Sequence, residues 1–176
     1  MKTVSLLVLT AVLVIAGAAR APAQEIPLDR DVKDAILLFK RSDSKMQKLF
    51  DEAAGYAVFP SIGKGAVGIG GAAGAGEVFE KGRLVGRAKM TQVTIGAQLG
   101  GQEYAEVIFF QTKDALRAFE ESQWEMSAEA SAVAAAEGAS ANAKYRLGVL
   151  VFTLAKDGLM FEASVGGQKF KYDPLR

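Results

Sequence analysis

The chain contains neither cysteine nor histidine. Without cysteine there is no disulfide staple, no thiolate nucleophile and no lipid-modified N-terminus of the lipoprotein kind. Without histidine the Ser-His-Asp type of triad is excluded, and with both residues missing so are the usual zinc sites. Catalysis would have to rest on Asp, Glu, Ser, Thr, Tyr or Lys. The nearest carboxylate pair in the later strands, Glu103 and Glu106, has an odd spacing that puts the two on opposite faces of a strand. An excess of charge of one sign is lacking too, with 21 Lys and Arg against 20 Asp and Glu. No global basic field exists to hold nucleic acid. The expectation is a binding protein with no catalytic residue, no cofactor and no metal site.

One long apolar run is present, Leu6 to Ala16, broken only by Thr10 and preceded by Lys2. It is too short and too lightly flanked for a convincing membrane span. Ala21-Pro22-Ala23 supplies the small-x-small pattern that signal peptidase reads, with the cut before Gln24. Residues 1–23 are therefore expected to be a signal peptide and 24–176 a single domain, exported to the periplasm or beyond. Removing residues 1–23 takes away Lys2 and Arg20 and no acid, leaving 19 basic and 20 acidic residues, a formal charge of −1. A domain of that length holds a real core without disulfides.

Along the chain, Asp29 caps a helix to about Lys40, with Val32, Ala35, Ile36 and Phe39 on one face. Ser44-x-x-Gln47 reads as a capping box for a second helix carrying Met46, Leu49, Phe50 and Ala53, ended by Gly55 in a left-handed C′ position. From Tyr56 the period becomes two. Strands are expected at Tyr56 to Pro60, Gly65 to Phe79, Arg83 to Thr91, Gln92 to Leu99 and Tyr104 to Gln111, with turns at Lys81-Gly82 and Gly100-Gly101. Thr112 caps a helix to about Gln123 that buries Ala115, Leu116 and Phe119. Residues 124–143 are Ala-rich and fit helix or strand. Leu147 to Leu154, a hairpin at Asp157-Gly158, Leu159 to Val165 and Gln168 to Tyr172 finish the sheet. The fold class is α+β: a single domain whose strongly curved, barrel-like antiparallel sheet carries an N-terminal helical arm and at least one further helix.

The run Gly63-Lys-Gly65-Ala-Val-Gly68-Ile-Gly70-Gly71-Ala-Ala-Gly74-Ala-Gly76 contains a formal G-x-G-x-x-G. A dinucleotide site needs a helix to start there, and here the glycines simply continue. Missing side chains instead let the strand bend or another backbone approach closely.

These residues also carry a family resemblance. Asp51-Glu-Ala-Ala-Gly55-Tyr-Ala-Val-Phe-Pro60, Ile62-x-Lys64-Gly65 and the glycine run resemble the opening signature of SYLF domains. Gly82, Gly96-Ala-Gln98-Leu-Gly100, Glu106-Val-Ile-Phe-Phe110, Leu150-Val-Phe, Gly158-Leu-Met-Phe and Val165-Gly-Gly-Gln-Lys-Phe170 continue it, so that it covers about residues 29–172. After Gly82 the chain departs from the pattern, with Leu84 and Ala88 where many members place Trp and Pro. The resemblance implies lipid binding: eukaryotic members bind phosphoinositides, and some fungal ones also bind actin filaments beside an SH3 domain. With an export signal and no SH3 or FYVE partner, actin is not an expected partner here. The resemblance also favours strand at Ala130 to Ala136.

Two cationic groups are candidate headgroup sites. Lys81, Arg83, Arg87 and Lys89 share one face of an extended strand, with Leu84, Gly86, Ala88 and Met90 on the other. Either acids opposite them (Glu77, Glu80, Glu103 and Glu106) or an anionic ligand would balance that stripe. Lys40, Arg41, Lys45 and Lys48 lie on the helical arm, whose apolar side either packs in the core or rests in a bilayer interface. The expected function is binding of anionic lipid at a membrane surface of the cell envelope. The alternative is a non-catalytic structural or protein-interaction module with an envelope protein partner.

Overall fold

The computed structural model describes residues 29–67, 69–95, 102–121, 124–127, 132–156 and 165–175. The expected signal peptide, the Gly100-Gly101 turn and the Asp157-Gly158 hairpin lie outside them. Helices α1 (Arg30–Ser42) and α2 (Met46–Glu52) lead into β1 (Gly55–Val67), β2 (Ile69–Glu80), β3 (Arg83–Ile95) and β4 (Gln102–Phe110). Helix α3 (Lys113–Glu120), the short strands β5 (Trp124–Glu125) and β6 (Val133–Ala134), and the single turn α4 (Ala139–Asn142) follow. Strands β7 (Val149–Ala155) and β8 (Lys169–Pro174) complete one sheet, in the order β5-β8-β3-β2-β1-β4-β7-β6. Every pairing is antiparallel except that of β6 with β7.

The sheet is strongly curled into a half-barrel, as the sequence leads one to expect. Phe59 on β1 and Phe170 on β8 have two strands between them, yet their rings lie 5.6 Å apart. In a flat sheet, three strand spacings would separate them by about 14 Å. Inside the curl, Phe59, Ile62, Met90, Tyr104, Ile108 and Phe110 pack with Leu116 and Phe119 of α3. On the outer face, Tyr56, Val58, Phe79, Val107 and Phe109 pack with Val32, Ala35 and Phe39 of α1 and with Met46 and Phe50 of α2. The apolar stripe of the helical arm is thus core.

Local chemistry explains most boundaries. The Asp29 carboxylate accepts from the Asp31 N–H to cap α1, and Thr112 Oγ1 accepts from Ala115 N–H to cap α3. Lys81-Gly82 is a two-residue turn with φ of 52° and 77°, the combination that joins twisted antiparallel strands.

Several expectations need correction. Ser44 does not cap α2: its hydroxyl donates to Glu137, while Asp43 accepts from the Lys45 N–H. Gly55 opens β1 rather than closing α2, and it must be small because an added Cβ would lie 2.5 Å from the Phe79 carbonyl. Pro60 does not end β1; the strand absorbs the missing donor in a bulge between Phe59 and Ile62 and runs on to Val67. The glycine run is two strands, paired as far as Val67↔Ile69, and Gln92 to Ile95 continue β3 rather than starting a new strand. Helix α3 stops at Glu120. Among the described residues of the Ala-rich stretch 124–143, strand is limited to Trp124–Glu125 and Val133–Ala134 and helix to Ala139–Asn142.

Candidate functional site

Strand β3 does not alternate throughout. Its register with β2 passes from Phe79↔Leu84 to Val78↔Gly86, leaving Val85 as an extra residue. Leu84 packs with the helical-arm core, whereas Val85, Ala88 and Met90 belong to the interior one. The bulge therefore reverses the faces. Arg83 lies opposite Glu80, which pairs with Lys113 of α3 at 3.7 Å. Arg87 and Lys89 point to the helical-arm side, and Lys81 sits in the turn. The expected four-cation stripe is thus broken: Arg83 stands on the opposite face from Arg87 and Lys89, and Lys81 lies in the turn.

What the fold brings beside Arg87 and Lys89 is β8. The register places Arg87 opposite Asp173, Lys89 opposite Lys171 and Thr91 opposite Lys169. Lys89 and Lys171 are both exposed, and neither forms an ion pair among the described residues. Like charges directly opposite across a ladder repel. Lys169 reaches Glu125 at 3.8 Å, and Arg87 reaches Glu77 at 4.0 Å. Glu77 is buried; desolvation pushes its pKa above the ordinary carboxylate value, against the pull of Arg87. The sheet beside the cations is floored by exposed Ala73, Ala75, Thr91 and Val93. A depression of about 370 Å³ runs along Ala75, Arg87, Lys89 and Pro174. Of the acids expected on neighbouring strands, Glu103 is engaged instead by Lys156 and Ser61, whose hydrogen bonds hold its pKa low. Glu106 is turned inward and fully buried.

On the arm, Lys40 places its ammonium 4.9 Å from the centre of the Phe50 ring, so it is part of the packing. Lys48 pairs with Glu52 one turn on, at 3.7 Å. Arg41 and Lys45 are exposed with no ion pair among the described residues. Leu37 and Leu38, about half exposed, lie within one turn of Arg41 on the outward side of α1.

A second concavity has no counterpart in the sequence reading. A cleft of about 770 Å³ opens beside β5 and β7, with Trp124, Met126, Val133, Ala143, Leu150 and Val151 among its walls. Strands β5 and β6 are the two ends of the sheet, so the cleft lies where the curl fails to close. Lys144 and Arg146 stand at it, both exposed. Lys171 was legible in the alternation of Lys169-Phe-Lys171-Tyr; the cleft was not, because it is made by strands from opposite ends of the sheet.

Among the described residues no group of three or more acids comes together to hold a metal, and no helix is long and apolar enough to cross a membrane. The chain is a curled α+β domain that presents surfaces for binding. Residues 91–174 match the Ysc84 family model, described as Las17-binding protein actin regulator. Beta cell expansion factor A of Aeromonas veronii is 35% identical over 141 residues, 78% of this chain and 52% of that relative. Residues 91–174 therefore carry a domain of the Ysc84 (SYLF) family. The chain spans about half the length of that curated relative, and the 141 aligned residues reach beyond the segment that the family model matches.

Proposed function

We propose that this is an exported lipid-binding protein of the cell envelope that associates with anionic headgroups through local basic patches. The observation that carries the reading is the register pair Lys89↔Lys171, two exposed lysines set directly opposite one another. An anionic headgroup bridging them removes the repulsion, and each cation near an anionic surface contributes about 1 kcal/mol. Arg87 extends the patch along β3. Arg41 and Lys45, with Leu37 and Leu38 beside them, give the arm a second surface of the kind that rests on a bilayer. Family membership supports binding rather than catalysis. The apolar run Leu6 to Ala16 and the Ala21-Pro22-Ala23 pattern support export.

The test is co-sedimentation of residues 24–176 with vesicles of phosphatidylcholine alone and of phosphatidylcholine mixed with phosphatidylglycerol, at low and high salt. Binding is expected only to the mixed vesicles, weakened by salt and largely lost in Lys89→Glu/Lys171→Glu, with Arg83→Glu close to wild type. Equal sedimentation with both vesicle types, or none with either, would sink headgroup recognition and favour an envelope protein partner. Export is checked by N-terminal sequencing of the chain recovered outside the cytoplasm, which is expected to begin at Gln24.

A further inference from the structure

The cleft at the open seam of the half-barrel has three properties that point to one kind of occupant. Its walls are mainly apolar: Trp124, Met126, Val133, Leu150 and Val151. Its volume, about 770 Å³, is in the range that holds a single small ligand, roughly 300–1,000 Å³. Its polar margin is cationic, since Lys144 and Arg146 are exposed and form no ion pair among the described residues. Of the described acids only Glu125 stands at the cleft, and it is engaged by Lys169.

The turn that carries Arg146 adds a separate observation. Arg146 and Val149 exchange both backbone hydrogen bonds, at 2.8 and 3.0 Å, around the two-residue turn Leu147-Gly148. Both turn residues have positive φ, 49° at Leu147 and 78° at Gly148. Glycine adopts that geometry freely, and the first position of such a turn favours Asn, Asp or Gly. A leucine there is strained, and this one is 88% exposed. The fold thus holds a large apolar side chain in water, in an unfavourable backbone conformation, next to two exposed cations and an apolar cleft. Burial of Leu147 in lipid offsets both costs.

We infer that the cleft takes one anionic lipid molecule at a time: its acyl chain lies against Trp124, Val133 and Val151, its headgroup binds Lys144 and Arg146, and Leu147 inserts among the acyl chains of the membrane from which it comes. This inference rests on the lipid-binding reading above and adds a site and a stoichiometry to it. The sheet patch at Lys89 and Lys171 docks the surface; the cleft holds the molecule.

Trp124 is the single tryptophan of the chain and lines the cleft, so its fluorescence reports occupancy. The full chain 24–176 is titrated with monomeric lysophosphatidylglycerol brominated on its acyl chain. Quenching of Trp124 is expected to saturate at one molecule per protein. Lys144→Glu/Arg146→Glu is expected to weaken it about tenfold, and Ala143→Phe, which fills the cleft and leaves Trp124 the only tryptophan, is expected to abolish it. Lys89→Glu/Lys171→Glu should leave the titration unchanged while abolishing vesicle binding. Leu147→Asn, which suits the turn, should raise stability yet slow uptake of brominated lipid from vesicles. Vesicle binding that depends on Lys89 and Lys171, with no Trp124 quenching or with quenching indifferent to Lys144 and Arg146, overturns the cleft and leaves the surface reading intact. Absence of vesicle binding by the unsubstituted protein, with saturable quenching retained, overturns the surface reading alone.

Discussion

The side chain of Gln168 donates a hydrogen bond of 3.0 Å to the Glu106 carboxylate, although three strands of the sheet lie between β4 and β8. Four strand spacings in a flat sheet amount to about 19 Å, so this contact exists only because the sheet is curled. Both residues are fully buried, Tyr104 beside them is buried too, and Thr153 faces Glu106 from β7. Burial, and then the Glu106 charge, push the Tyr104 phenol well above its ordinary pKa. Glu106 is therefore a tie across the interior rather than half of the carboxylate pair that its nearness to Glu103 suggests.

Removing one end of that tie takes a hydrogen bond from a buried polar group, which is the costly direction. Glu106→Ala is expected to lower stability by about 2–4 kcal/mol. Gln168→Ala should cost less, and the double variant less than the sum of the two. Urea unfolding of all three variants gives the coupling; additive losses would mean that the hydrogen bond does not fasten the curl.

Gly63, which opens the G-x-G-x-x-G run, is not equivalent to Gly76, which ends the glycine stretch. A Cβ at Gly76 would lie 2.4 Å from the Val58 carbonyl and 2.7 Å from the Phe59 ring, whereas one at Gly63 would meet nothing within 4 Å. Gly76→Ala is expected to cost about 1–3 kcal/mol through overpacking, and Gly63→Ala less than about 0.5 kcal/mol. Thermal unfolding ranks them, and the reverse order would return the motif to a site of special backbone geometry.

The lysine pair should separate stability from binding. Lys89→Glu puts opposite charges at the Lys89↔Lys171 position, an expected gain of about 0.2–1 kcal/mol. The same change should weaken binding to anionic vesicles. A variant that is both less stable and weaker in binding would mean that the lysines serve packing.

Two buried acids predict pH effects of opposite sign. Burial acts to raise the Asp43 pKa, but the backbone N–H groups of Ser140 and Lys45 outweigh it and hold the carboxyl below 3.8. Its contribution is complete above that value and is lost as pH falls through the lower folded one. Glu77 is raised above 4.5, chiefly by burial, so its ionisation penalises the folded state at neutral pH and acidification toward 4.5 relieves it. In unfolding curves against pH, Asp43→Asn should lose its deficit at the acid end. Glu77→Gln should be more stable than wild type near pH 7 and converge with it on acidification.

Much of this was legible in the residues. Asp29 and Thr112 announced the helix starts, the arm's periodicity gave its buried face, and Lys81-Gly82 gave its turn, because each is a local preference. The Val85 bulge is different. It is pinned by Tyr172, which donates to the Val85 carbonyl at 3.1 Å and whose ring occupies the space a Cβ at Gly86 would need. Nothing within ten residues of Val85 announces that contact, so strict alternation put Arg83 and Arg87 together when the fold sets them on opposite faces. The glycine run hid the break between β1 and β2 for a related reason: with glycines recurring throughout, none marks where one strand gives way to the next. The family resemblance, by contrast, rested on several separated motifs in order, and it held.

The half-barrel is bounded at both ends by strands only two residues long, Trp124–Glu125 and Val133–Ala134. Edge strands that short offer little ladder of their own for another copy to extend. The seam between them is therefore a gap and not an adhesive margin. The molecule keeps an opening in its wall between two margins that are each closed by a strand of only two residues.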